Sequence, residues 1–253
     1  GAIGNGTGYA NAFARYAHTG GWRENSQAEQ SALSGRGGLY IGKGEAFLDY
    51  AVYNDHSGLP GYLLSAAYQN NPKTSTTPND SQRSDGYRLR PGVALPITDT
   101  LRFEAEVSYD TQDQHANYAS FRSQADRTRD NWSVTPRLRW QHGLGGLKSE
   151  TVAGIDYYSG DVDATYSSSA AQSAKQDSTG FYFQNVTEWV AGLASTLGAR
   201  SQRVDQEAKQ EAYMNPWGMQ PGMSGSAEYT RNAWDLGLSY AGDGWRVYGK
   251  GGT

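Results

Sequence analysis

Between Leu101 and Tyr109 every second residue is apolar (Leu101, Phe103, Ala105, Val107, Tyr109), and the residues between them are Arg102, Glu104, Glu106 and Ser108. A period of two places alternate side chains on opposite faces of an extended strand, one face greasy and the other charged. The pattern recurs along the chain and predicts eleven strands. They cover Gly8–His18, Leu33–Ile41, Ala46–Tyr53, Tyr87–Leu95, Leu101–Tyr109, Trp132–Trp140, Leu147–Tyr157, Gly180–Trp189, the neighbourhood of Leu197–Arg200, Trp234–Tyr240 and Trp245–Gly249. In the eighth, Phe181 and Phe183 are out of phase with Val186, which predicts a bulge between them. Pro91 and Pro136 lie inside predicted strands, and the missing N–H predicts a bulge or lapse of pairing at each.

The connections alternate between short and long. Gly42–Glu45, Pro96–Thr100, His142–Gly146, Ala191–Ala194 and Ala241–Gly244 are tight turns, most of them supplied with Gly or Asp. Between them lie five polar, aperiodic stretches read as long loops: Gly20–Gln30, His56–Asp85, Gln112–Arg129, Ser159–Ser178 and Asp205–Tyr229. Hairpin loops in compact domains are usually a handful of residues. Long loops at every second connection all fall at one end of a sheet, the rhythm of an outer-membrane barrel with tight turns on one side of the bilayer. Gly1–Gly6 is glycine-rich with no helix after it to cradle a phosphate, and reads as a turn on that side.

Composition agrees with an all-β, transmembrane, antiparallel up-and-down barrel. The 253 residues are 37% hydrophobic with a mean hydropathy of −0.73. No apolar run approaches the roughly 20 residues of a membrane helix, but barrel strands dilute their apolar signal with lumen-facing residues. Aromatics are weighted to Tyr (18) and Trp (7) over Phe (6), the types enriched where hydrocarbon meets water. Trp140, Trp189, Tyr240 and Trp245 lie near short turns and read as an inner girdle; Trp132 and Trp234 lie at the opposite strand ends. Without cysteine there are no disulfides or thiolate metal sites, and a net charge of −4 argues against nucleic acid as a partner.

The polar phase carries Arg15, Arg88, Arg90, Arg102, Glu104, Glu106, Arg137, Arg139, Arg200 and Arg246. An eight-stranded barrel fills with side chains, so this many arginines require a wider, wet or plugged interior. Eleven is an odd number, and bacterial single-chain barrels are even-numbered, so the expectation is a partial barrel whose two open edges would make it aggregate alone. Guanidinium groups match carboxylate and catecholate oxygens. Arg15, Arg88, Arg90, Arg102, Arg137 and Arg139 are therefore candidate ligand contacts, with ion pairing to Glu104, Glu106 or a plug as the competing role. His56, with His18 and His115, falls near the predicted outer end and is a further candidate, although the spacings fit no metal-ligand pattern. Asp161-Val162-Asp163 lacks the full ligand spacing of a calcium loop, and no nucleophile elbow or paired catalytic motif is present, so neither an enzyme nor a resident cofactor or metal is expected.

Three stretches carry a family resemblance. Tyr9–Ser26 (YANAFARYAHTGGWRENS) resembles the third barrel strand and following loop of TonB-dependent outer-membrane receptors. Tyr53–Gly61 (YNDHSGLPG) is similar to the "LPG" segment at the tip of their next outward strand. Ser178–Trp189 (STGFYFQNVTEW) resembles their "GFYAQDEW" stretch, with Leu197-Gly198-Ala199-Arg200 following as in "TAGLRY". The resemblance implies that residues 1–253 are part of one barrel domain of 22 strands, about the third to the thirteenth, without the N-terminal plug. It further implies an active transporter of the bacterial outer membrane, seated in lipid and energised by the TonB complex through the plug. Its cargo would be a scarce nutrient, most often a ferric siderophore or another iron chelate. A passive porin-type channel and a secreted β-rich binding protein are the alternatives. A plug upstream would separate the first, and solubility without detergent the second.

Overall fold

The computed structural model describes the backbone of residues 1–253 and every side chain but that of Leu144. Among the described residues there are fifteen strands: β1 (Ala2–Gly4), β2 (Gly8–Thr19), β3 (Ala28–Ile41), β4 (Gly44–Gly58), β5 (Ser81–Pro96), β6 (Leu101–Tyr118), β7 (Ser123–Val134), β8 (Arg137–Leu144), β9 (Leu147–Tyr166), β10 (Gln172–Val190), β11 (Leu193–Gln210), β12 (Tyr213–Asn215), β13 (Gly218–Gln220), β14 (Met223–Gly242) and β15 (Trp245–Gly252). Thirteen form one antiparallel up-and-down sheet in chain order, with β7 and β8 end to end between β6 and β9 and with β11 pairing β14, and β12–β13 is a separate hairpin. The eleven expected strands correspond to β2 through β6, β7 together with β8, β9 through β11, β14 and β15.

The five expected tight turns are present. At Gly145-Gly146 both residues have positive φ, the type I′ geometry that matches the twist of the flanking strands. The opposite end differs from expectation in one respect. Much of the supposed loop sequence is strand: β6 and β7 run to Tyr118 and from Ser123, β9 and β10 to Tyr166 and from Gln172, and β11 and β14 to Gln210 and from Met223. Polar residues on both faces erase the period-two signal there, while backbone pairing continues. The 59–80 connection remains a long loop and holds a short helix, α1 (Ser65–Asn70). Two further expectations are corrected. Residues 2–4 pair with Tyr9–Asn11 as β1 instead of forming only a turn. The irregularity of β10 falls between Glu188 and Val190 rather than beside Phe183, so Val186 keeps phase and shares the face of Tyr182.

Both prolines interrupt the ladder as expected, and both do so beside β6. Pairing of β5 with β6 passes from Leu89↔Tyr109 to Gly92↔Glu106, skipping Pro91. On the other flank Thr135-Pro136 separates β7 from β8 between the partners of Val107 and Glu104. The freed backbone groups are still used: Thr135 N–H donates to the Glu106 carbonyl at 2.9 Å, and Ile155 N–H to the Pro136 carbonyl at 3.0 Å.

The sheet curves. One cavity is lined by Arg88 and Arg90 of β5 and also by Ser226 of β14, six strands away along the sheet. That face is concave, and register follows from it. Arg36↔Asp49↔Arg90 and Arg88↔Asp110↔Asn131↔Gly160 run across the concave face. The alternate set, including Leu33, Leu48, Val52, Leu89, Val107, Leu138, Ile155, Phe181, Leu197, Leu236 and Leu238, lies on the convex face and is exposed. Among the described residues the buried apolar ones are Phe47, Val204 and four alanines, too few for a dry core. Outward Leu101 to Tyr109 spans eight steps of ~3.3 Å, about 20 Å of height at a barrel's usual tilt, close to the apolar band of an outer-membrane barrel.

Phe103→Arg places a charge on the apolar face and is expected to cost ~2–4 kcal/mol. Glu104→Gln on the opposite face leaves facing arginines short of a counter-charge and is expected to cost about 1–3 kcal/mol, less where the lumen is wet. Unfolding of the full-length protein in detergent measures both; equal tolerance of Phe103→Arg and Phe103→Leu would contradict the assigned faces.

Candidate functional site

The concave face is organised by carboxylates that each hold arginines of neighbouring strands. Asp49 of β4 accepts from Arg36 Nε of β3 at 2.5 Å and from Arg90 Nη2 of β5 at 2.6 Å. Arg90 also reaches Glu106 at 3.4 Å. Asp110 of β6 lies between Arg88 of β5 at 3.1 Å and Arg129 of β7 at 3.4 Å. Glu104 gathers Arg137 at 2.5 Å, Arg102 at 3.3 Å and Arg139 at 3.7 Å, and Arg139 pairs in addition with Glu150. Arg200 of β11 crosses the intervening β10 to meet Asp156 of β9 at 2.7 Å. It can do so because Gly180 of β10 has no side chain: a Cβ there would meet the Arg200 guanidinium at 2.7 Å. Asp110 and Asp156 are buried, and paired charges are the form in which burial is tolerated.

The main cavity, of about 1030 Å³, lies on this face. Its walls include Arg88, Arg90, Glu106, Ser108, Asp110, Tyr158, Gln176 and Gln206. With Lys175 and Trp132 also on its lining, this mix of cations, amides, hydroxyls and aromatics suits a polar, anionic guest larger than a simple ion.

The seven candidates from sequence separate by position. Arg88 and Arg90 line the cavity. Arg102, Arg137 and Arg139 gather on Glu104, nearer the short-turn end and outside it. Arg15 shares the concave phase of Tyr9 and Asn11 and, among the described residues, has no carboxylate partner. His56 is in phase with Leu48 and Val52 on the convex face, opposite Glu29 and Arg83, not in the lumen. His18 and His115 are convex as well, His115 pairing with Asp126 at 2.6 Å. Sequence reading placed Arg127 and Arg129 in a loop, yet both are concave residues of β7, in phase with Asn131 and Ser133. The signal was their own spacing, a period of two continuing back from Trp132. Arg36, Asp49, Asp110 and Asp156 were also passed over, since a lone charge in a strand is informative only once its cross-strand neighbour is known.

The convex face carries aromatic rings at two levels. Near the short turns Tyr240 and Trp245 meet in a tilted pair at 5.4 Å, and Trp140 stacks on His142 at 4.1 Å. Toward the other end Tyr87–Tyr109 and Trp132–Tyr157 stand at 5.8 and 4.8 Å. Beyond this upper level the convex side chains become charged; Asp177 and Asp161 together hold the Lys175 ammonium above its ordinary pKa. Water, hydrocarbon and water would therefore each meet a matching surface.

The 59–80 loop is pinned at the rim. Arg23 donates to the carbonyls of Gly61 at 2.8 Å, Pro60 at 3.1 Å and Thr74 at 3.0 Å. Asn25, in the left-handed conformation that Asn tolerates, donates to the carbonyls of Thr77 at 2.6 Å, Asp80 at 2.7 Å and Leu59 at 3.1 Å. Buried Asp80 accepts from Ser120 N–H at 2.8 Å, tying the loop to the β6–β7 tip. An apolar recess of about 600 Å³ results, lined by Leu59, Pro60, Tyr62, Leu64, Tyr118 and Phe121. Asn25→Ala leaves three carbonyls without this donor, and hydrogen bonds of this kind contribute about 1 kcal/mol each. Amide exchange across 59–80 is expected to quicken at least tenfold by mass spectrometry; unchanged exchange would show that the loop is held by something else.

No protein-family model matches this chain, and no curated protein sequence does. Solved structures do match. The unliganded ferric citrate transporter FecA superposes with a TM-score of 0.84 at 14% identity, over 98% of this chain and 39% of that one. The ferric-catecholate import receptor Fiu of E. coli K12, in its open form, gives 0.79 at 12%, over 98% and 50%. The ferric yersiniabactin uptake receptor FyuA of Yersinia pestis gives 0.79 at 10%, over 98% and 42%. These neighbours are TonB-dependent outer-membrane receptors, transport proteins and not enzymes. This chain has their β-barrel fold and spans from about two fifths to half of their length.

Proposed function

We propose that this chain forms part of the barrel of an outer-membrane active transporter that imports a metal chelate, most specifically a ferric siderophore, with energy delivered through TonB. The observation that carries the reading is the pairing of an exposed apolar convex band with a wide, arginine-bearing concave face. A sheet with this distribution is stable when its outside meets acyl chains and its inside meets water. An enclosed aqueous passage lined by guanidinium groups suits an anionic chelate, whose carboxylate or catecholate oxygens accept forked donation. The fold of the solved ferric-chelate receptors supports the same assignment.

In this reading Arg88 and Arg90 are the principal cationic contacts. Each is already shared with a carboxylate, so a chelate oxygen competes for N–H groups still free on the same fork rather than meeting a bare charge. That favours a guest with several acceptors over a small anion. Arg129 and the unpaired Arg127, toward the loop end, attract the guest. Arg102, Arg137 and Arg139 line the passage nearer the short turns, where a plug would meet them, while Arg15 lies toward the loop end, level with Arg129 through Ala32, Tyr53, Gly86 and Gln112. His56, on the convex face, takes no part.

The test is uptake of radiolabelled iron by a Gram-negative host carrying the full-length gene under iron starvation, with a panel of ferric chelates and a matched host lacking TonB. Uptake of at least one chelate that disappears without TonB is the expected result; passive, TonB-independent entry would identify a porin-type channel. With that chelate in hand, Arg88→Gln with Arg90→Gln is expected to weaken binding to the detergent-solubilised receptor about tenfold or more, since charge-assisted hydrogen bonds contribute about 1.5–3 kcal/mol. Lys43→Gln, in the short turn between β3 and β4 and outside the cavity, should change it less than twofold. Equal effects of the two would place the binding site elsewhere.

A further inference from the structure

The 253 residues contain three methionines, and all three lie within ten positions of one another: Met214, Met219 and Met223. They occupy the connection between β11 and β14, at the end of the sheet opposite the short turns. None is packing a core, for they are 67%, 63% and 66% exposed. We propose that this connection is a capture site for a soft monovalent metal ion, Cu(I), held by the thioether sulfurs of Met214 and Met219 with Met223 as the third ligand.

The hairpin itself aligns the first two. Strands β12 and β13 pair Tyr213↔Gln220, Met214↔Met219 and Asn215↔Gly218 around a turn formed by Pro216 and Trp217. The turn is held by the Asn215 side-chain oxygen, which accepts from Trp217 N–H at 2.9 Å, and by Gly218 at φ +123°. With two turn residues, the pair flanking the turn is the hydrogen-bonded kind and the next is the non-hydrogen-bonded kind. Directly opposed Cα atoms of that kind are about 4.5 Å apart, with their side chains closest. Met214 and Met219 therefore project side by side from one face. Their unbranched, three-torsion side chains let both sulfurs turn toward one point. Met223 follows Met219 by four residues, across Pro221-Gly222, at the start of β14.

Thioether sulfur is neutral, polarizable and has no proton to lose. It binds Cu(I) and its redox-inert analogue Ag(I) well, and hard ions such as Fe³⁺, Mg²⁺ or Ca²⁺ poorly. Among the described residues no group of three His, Cys, Asp or Glu is placed to hold a metal ion, so a harder protein site does not compete here. The selectivity is opposite to that of the oxygen-directed arginine lumen, and the site stands whether or not the transport reading holds.

The experiment uses the full-length protein in detergent, titrated with silver nitrate and, without oxygen, with Cu(I) against a chromophoric Cu(I) chelator. The double variant Met214→Leu/Met219→Leu keeps side-chain volume and is expected to bind one equivalent fewer of each ion, and Met223→Leu to lose at least tenfold in affinity. In the unmodified protein carrying ¹³C-methyl methionine, the Met214 and Met219 methyl resonances are expected to shift together on addition of one equivalent of Ag(I). This readout does not depend on the folding of any variant. Undiminished stoichiometry in the double variant, or methyl resonances that stay in place, would overturn the proposal and leave the hairpin, with its exposed Trp217, as an apolar tip only.

Discussion

A polypeptide in hydrocarbon has no water to satisfy its amides, and this one constraint orders the rest of the molecule. A spanning sheet must pair every strand on both flanks, which dictates a continuous antiparallel ladder with tight turns at one end. The thirteen-stranded sheet meets that demand everywhere but at its two edges, β1 and β15. Pairing by sequence neighbours makes alternation along each strand equivalent to sidedness of the whole wall. The usual relation of chain to core is thereby inverted. Large aliphatic residues are exposed on the convex face, while the concave face buries Asp110, Asp156 and Ser178.

The same constraint explains what could be read before the structure. Leu101 to Tyr109 announces its face because one side is apolar and the other charged. Trp140 and Trp245 announce the interface because indole is suited to it. Beyond the apolar band of the convex face, both sides carry polar residues and the code vanishes. Gln112, Asp113, Gln114 and His115 are strand residues that alternate in direction but not in polarity. Arg127 and Arg129 were lost to a supposed loop for that reason, and His56, read as the first residue of a long loop, lies inside β4. The helix and the pinned recess of the 59–80 loop were unreadable for a different reason. They depend on Arg23 and Asn25, more than thirty residues away, donating to backbone carbonyls.

The charged residues divide in a way that sequence alone does not resolve. Of the arginines singled out on the concave face, Arg88 and Arg90 combine ion pairing with access to the cavity, whereas Arg102, Arg137 and Arg139 converge on a single carboxylate. An arginine already neutralised by aspartate still offers free N–H groups, so pairing and recognition are compatible at Arg90. At Glu104 three cations meet one anion. Arg139 is shared with Glu150 as well, and among the described residues Arg15 and Arg127, without a carboxylate partner, lie toward the loop end.

The carboxylates that link adjacent strands have one more consequence. Alternation cannot distinguish the native alignment of two strands from one shifted by two residues, since such a slide returns every side chain to its proper face. A shift by two would carry Asp49 away from both Arg36 and Arg90, Asp110 from Arg88 and Arg129, and Arg200 from its passage over Gly180. These contacts therefore act as a vernier: greasy and polar stripes set the parity of the alignment, and the ionic links select among alignments of equal parity.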